Sequence, residues 1–243
     1  MSQPTKLNIG VLFVSSTQLL DIGAVDLLAM TDKAYLRSCE LPDQVVELGF
    51  DTVNIQYIGE NVKVPAAPPS ATYTRAFVAP EPTTLISTSG KLNLQLTADI
   101  TSPSVAPSKL DILVIPGSDP ATRPSPATTE FIRSHANAST TDILIICTGS
   151  FLAAHAGILD GKTATGPLPL VDSHLKKFFP EVNWTDDRRW VVDESGKLWT
   201  SGAITNGLDL VAEYLRKKVR PELAQLICSA ADVGARPAAY GQT

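Results

Sequence analysis

Residues 142–155 read DILIICTGSFLAAH, and a change of pattern inside this stretch decides the fold class. After Asp142 comes a short apolar run, Ile143 to Cys147, of the kind found in a strand covered on both faces. From Thr148 the spacing turns helical, through Phe151, Leu152, His155, Ile158 and Leu159, with Gly161 as the stop. A buried strand running straight into a helix is the building unit of a parallel sheet, and Cys147 stands at the junction.

The same grammar extends outward. Leu7–Val14 (LNIGVLFV) and Leu110–Ile115 (LDILVI) are two more buried strands. Thr52–Ile58 and Leu198–Ser201 read as strands, and Leu92–Ala98 alternates as a half-buried one does. Helices are predicted over Asp21–Met30, Ile204–Val219 with a basic last turn, and Pro221–Ala231 with proline in its first turn. Alternating strands and helices predict an α/β fold, a mostly parallel sheet flanked by helices on both faces. With 243 residues and 44% hydrophobic content, one core suffices, so a single domain over 1–243 is expected. Glu60 to Gly90 is rich in Pro, Ala, Ser and Thr and reads as a loop insertion at about 60–90.

The net charge of −5, with no Lys/Arg-dense stripe, argues against a nucleic-acid surface or an anionic membrane. No apolar run approaches the ~20 residues of a membrane span. Three scattered cysteines do not make a disulfide framework and fit reduced thiols in the cytoplasm. No phosphate loop, dinucleotide glycine pattern or zinc spacing appears, so no cofactor and no metal are expected.

Position makes Cys147 either a nucleophile beyond the carboxyl end of a strand or a buried structural cysteine. A helix N-terminus beside it favours the thiolate. Gly117-Ser118, after LDILVI, is either a second donor of N–H groups to the site or a plain turn. Cys39 reads as a loop residue and Cys228 as a core residue. His135 and His174 fall on polar, exposed helical stretches, and His155 reads as packing.

The elbow segment Ile145–Leu152 and Ala156–Thr165 resembles the ThiJ/PfpI superfamily, whose fold is that of the class I glutamine amidotransferases. Asp111–Gly117, Phe179–Trp184 with Arg189–Asp193, and Trp199–Gly202 with Gly207–Asp209 agree in order and spacing. The resemblance implies a flavodoxin-like three-layer sandwich, a nucleophile elbow at Cys147 and a homodimer. Leu20-Asp21 is similar to the isonitrile hydratase-like branch, where an aspartate faces the cysteine. Thr148 stands where protease-like members carry histidine, which disfavours proteolysis. The activity implied by this resemblance is that of a cysteine-dependent enzyme on a small molecule, hydrating an isonitrile to an N-formamide. Cys147, Asp21 and Thr148 are its expected catalytic residues, and Gly117, Ser118 and Gly149 its substrate or oxyanion contacts. Two alternatives stand beside it: another cysteine-dependent reaction, glyoxalase-like or on a biosynthetic intermediate, and a redox or ligand sensor without turnover. The segment after Val219 is too short for a helix-turn-helix module, so direct DNA regulation is not expected.

Overall fold

LNIGVLFV, LDILVI and DILIIC lie side by side in the computed structural model, which describes residues 5–63 and 84–241. In chain order the elements are β1 (Lys6–Leu12), α1 (Leu19–Ala29), α2 (Lys33–Ser38), α3 (Asp43–Val46) and β2 (Thr52–Gly59). Then come β3 (Leu85–Ser87), β4 (Asn93–Gln95), β5 (Ala98–Asp99), β6 (Ile112–Ile115), α4 (Pro126–Asn137) and β7 (Asp142–Ile145). After these stand α5 (Gly149–His155), β8 (Thr163–Ala164), α6 (Leu168–Leu170), α7 (Lys176–Phe178) and β9 (Asn183–Trp184). The chain ends with β10 (Trp190–Val192), β11 (Leu198–Ser201), α8 (Thr205–Lys218) and α9 (Pro221–Ala230).

Seven strands form one sheet in the order β10-β11-β7-β6-β1-β2-β5. Every pairing in it is parallel except β10 with β11. The three apolar runs occupy its middle because side chains on both faces must be covered. Alternate residues divide between two cores. Ile9, Val11, Ile112, Val114 and Leu144 pack with α1, α8 and α9 on one face. Leu113, Ile115, Ile143 and Ile145 pack with α4 and α5 on the other. This is the expected α/β sheet between two helical layers. Among the described residues no helix is long and apolar enough to cross a membrane.

The structure differs from the sequence reading in several places. Leu92–Ala98 is not one strand: β4 pairs antiparallel with β3, whereas β5 joins the main sheet beside β2. The chain changes partner between them, Leu96 N donating to Thr84 O (2.9 Å) and Thr97 N to Tyr57 O (2.7 Å). Helix α5 stops at His155, short of Leu159, because Gly157 turns left-handed (φ +72°) and Arg133 Nε binds the Ala156 carbonyl at 2.7 Å. Between Met30 and Thr52 lie α2 and α3, too short for periodicity to betray; Asp32 caps α2 by accepting from Ala34 N at 2.6 Å.

His135 is buried, not exposed, because Thr128, Phe131, Ile132 and His135 form the inner face of α4. Its Nε2 lies 3.0 Å from the Val105 carbonyl, and burial holds its pKa below the usual imidazole range. Most of the expected 60–90 insertion, residues 64–83, lies outside the described residues. Its end is described and forms β3 and the turn of the β3–β4 hairpin, which crosses to the segment after β1: Thr17 N donates to Ser87 O (3.3 Å) and Ser89 N to Thr17 O (2.8 Å).

Candidate active site

The chain leaves β1, β6 and β7 at the same end of the sheet, and the three turns bring together Thr17, Gly117 and Cys147. Cys147 has φ +54°, a left-handed conformation that costs a non-glycine residue on the order of 1 kcal/mol. The reward is a thiol turned out of the strand instead of into the sheet. Helix α5 can start this close to β6 only because residue 149 is glycine. A Cβ there would lie 2.3 Å from the Ile115 carbonyl oxygen.

Asp21 is the third residue of α1 and is 0% exposed. Its Oδ2 accepts from Gly117 N at 3.1 Å, and Thr17 Oγ1 holds that turn by donating to the Gly117 carbonyl at 2.7 Å. Its Oδ1 is buried and meets no hydrogen-bond partner among the described residues. Burial pushes the Asp21 carboxyl up to about 6, against the lowering effect of the Gly117 N–H and of the Cys147 thiol beside it. The thiol is itself pushed up to about 11, first by burial and then by the Asp21 charge. The N–H groups of Ile204 and Thr148 pull the other way, and burial wins. At neutral pH the pair is therefore a carboxylate beside a neutral thiol, not the thiolate expected from the helix N-terminus. The arrangement places a proton acceptor beside a thiol, the pairing from which a cysteine can be activated.

A cavity of about 400 Å³ opens over the sulfur, lined by Thr17, Thr88, Ser89, Ser118, Pro120 and Thr148 among others. Of the residues singled out from the sequence, Cys147, Thr148 and Ser118 line it, whereas Asp21 sits behind the thiol. The Gly117 N–H is committed to Asp21, and the Gly149 N–H to Ile146 O at 2.9 Å, so neither is free for substrate. The Thr148 hydroxyl donates to the Ser118 carbonyl at 2.6 Å, which leaves its N–H to face the sulfur. Sequence reasoning missed the Ile204 N–H, Thr17, Thr88 and Ser89. None carries a motif; they reach the site only through tertiary contacts. His155 points elsewhere, against Arg123 and Phe179. Among the described residues no group of three or more His, Cys, Asp or Glu side chains is placed to hold a metal ion.

Gly117 gives a direct test of this pairing. A Cβ at residue 117 would sit 2.2 Å from Asp21 Oδ2 and 2.8 Å from Thr148 Oγ1. In Gly117→Ala the carboxyl must swing away from the thiol, whose proton is then lost more easily. Alkylation of Cys147 by iodoacetamide at pH 8, followed by peptide mass mapping, is expected to accelerate roughly threefold to tenfold. An unchanged rate would show that Asp21 does not act on the thiol.

A model of the DJ-1/PfpI family matches residues 59–217, which include the elbow and the turn after β6. The chain belongs to the DJ-1/PfpI family. An isonitrile hydratase from Pseudomonas putida is similar to this DJ-1/PfpI chain, 32% identical over 120 residues, 49% of this chain and 50% of that protein. The chain thus matches about half the length of this curated relative. Among solved structures, DJ-1beta of Drosophila melanogaster superposes with a TM-score of 0.65 at 16% identity, covering 94% of this chain and 99% of that one. An AraC family transcriptional regulator from Pseudomonas putida gives 0.65 at 14% identity, over 93% and 99%. At these identities the likeness is one of fold.

Proposed function

We propose that this DJ-1/PfpI chain is a cysteine-dependent enzyme that hydrates an isonitrile to an N-formamide. One observation carries the reading: the cavity thiol of Cys147 is backed by a buried carboxyl, Asp21, and by no histidine. The similarity to an isonitrile hydratase supports the same chemistry.

The reaction suits a thiol and carboxyl that exchange one proton. The Cys147 sulfur attacks the terminal isonitrile carbon, forming the S–C bond, while its proton passes to Asp21. The carbon's electron pair then takes that proton, giving a thioimidate, R–N=CH–S–Cys147. Water adds to this carbon, one of its protons going to nitrogen and the other to Asp21. The tetrahedral adduct collapses, the C–S bond breaks, and the thiol recovers its proton as R–NH–CHO departs. The Thr148 and Ile204 N–H groups that face the sulfur steady it as it leaves. A thiol pushed up to about 11 is a slow target for peroxide, which speaks against the sensor alternative.

The expected result is N-formamide from a simple alkyl or aryl isonitrile, and none above background from Cys147→Ala. Since such substrates carry no charge, kcat/KM should rise through about pH 6 as Asp21 ionises and stay flat to pH 9. Equal product from both proteins would end the hydratase reading.

A further inference from the structure

Helix α1 is capped from outside, and the cap lies in the wall of the Cys147 cavity. The first turn of a helix has N–H groups without partners, and an acidic residue at its third position commonly helps to satisfy them. In α1 that third residue is Asp21, and its carboxyl is turned inward, to Gly117 N and the thiol. Gln18, the residue before the helix, makes no side-chain cap. The missing acceptor comes from another part of the chain: Leu19 N, the first N–H of α1, donates to Ser89 Oγ at 3.2 Å.

Ser89 stands at the turn of the β3–β4 hairpin, and the same hairpin holds the other support of Asp21. Ser89 N donates to the Thr17 carbonyl at 2.8 Å, and Thr17 N donates to Ser87 O. Thr17 Oγ1 in turn donates to the Gly117 carbonyl, and Gly117 N donates to Asp21. The contacts close a ring from Ser89 through Leu19 to Asp21, and back through Gly117 and Thr17 to Ser89. Both Thr88 and Ser89 line the cavity with Cys147. We infer that Ser89 is a positioning residue for Asp21, through its hydroxyl on the N-terminus of α1, and that the β3–β4 hairpin thereby sets the aim of the carboxyl at the thiol. The role in turnover rests on the hydratase reading; the positioning itself does not.

The test compares Ser89→Ala with Ser89→Thr, which keeps a neutral hydroxyl to accept from the Leu19 N–H without adding a charge to the cavity. Ser89 is exposed, so both variants should fold, and their unfolding midpoints are compared with the native chain. The readout is the pH dependence of Cys147 alkylation by iodoacetamide, scored by peptide mapping so that Cys39 and Cys228 do not contribute. The groups acting on that thiol are the Asp21 carboxyl and the N–H groups of Ile204 and Thr148. Loss of the cap lets α1 fray at Leu19 and moves Asp21 away. Ser89→Ala should then be alkylated about threefold to tenfold faster at pH 8, with Ser89→Thr at the native rate. An isonitrile assay on the same proteins should show kcat falling by a similar factor in Ser89→Ala, kept in Ser89→Thr, with KM changed less.

A Ser89→Ala profile equal to the native one overturns the inference, whatever the activity. So does an equal acceleration in Ser89→Thr, since the hydroxyl's hydrogen bond would then not be the cause. If the alkylation results are as expected and the native chain forms no formamide, the positioning stands and the hydratase reading falls.

Discussion

Asp21→Asn is expected to stabilise the folded chain at pH 7 while removing the hydratase turnover proposed for it. The carboxyl is buried and lies near 6 in place of its ordinary 3.8. The folded state thus binds this proton more tightly than the unfolded chain does. The stabilisation from that proton is complete below about pH 3.8 and is lost as pH rises through about 6. At neutral pH the native protein holds an ionised carboxylate out of water, at a cost of up to about 3 kcal/mol. Asparagine keeps an oxygen to accept from Gly117 N and never ionises. Its Tm should exceed the native value by up to about 10 °C at pH 7 and converge with it at pH 4. Turnover should fall by roughly 10²–10⁴, the usual contribution of a positioned proton carrier. Equal Tm values at pH 7 would mean that the carboxyl is better solvated than its burial indicates. An active asparagine variant would remove Asp21 from the mechanism.

The second large effect is expected at Gly149. The Ile115 and Pro116 carbonyl oxygens lie 2.3 and 2.9 Å from where a Cβ would be, and both belong to backbone that cannot rotate aside. Gly149→Ala must lift α5 away from the end of β6, at about 3 kcal/mol, and Tm should drop by roughly 6–12 °C. The elbow moves with the helix, so Cys147 loses its setting against Asp21. Turnover should fall about 10²-fold even where the protein remains folded, as a displacement of 1 Å can do. Thermal unfolding by circular dichroism, with the isonitrile assay run well below the lowered Tm, separates the two effects. A variant with native Tm would show that the strand-to-helix turn has room that these distances deny.

Local pattern carried much of the fold. The apolar runs Leu7–Val14, Leu110–Ile115 and Asp142–Cys147 mark the middle of a parallel sheet because burial on both faces leaves no polar alternation. Cys147 was visible as the residue at the turn. Its partner came from the resemblance of Leu20-Asp21, since nothing in the spacing of residues 21 and 147 joins them. Where burial depended on packing between distant elements, local reading failed. The polar look of the helix around His135 concealed an inner face, and Leu92–Ala98 was divided between two sheets by partners at Thr84 and Tyr57.

By itself, then, the sequence determined the class of fold and the strand-to-helix turn that carries Cys147. These depend on side-chain pattern and backbone freedom within a few residues. Tertiary structure alone decided the state of the site. Burial of Cys147, and then the Asp21 charge beside it, pushes the thiol up against the N–H groups of Thr148 and Ile204 that pull it down. It also assigned the Gly117 N–H to Asp21 instead of to substrate, and brought Ser89 from the β3–β4 hairpin onto α1. Desolvation and hydrogen bonding depend on which groups meet, and groups some 70 to 130 residues apart meet only once the sheet has formed.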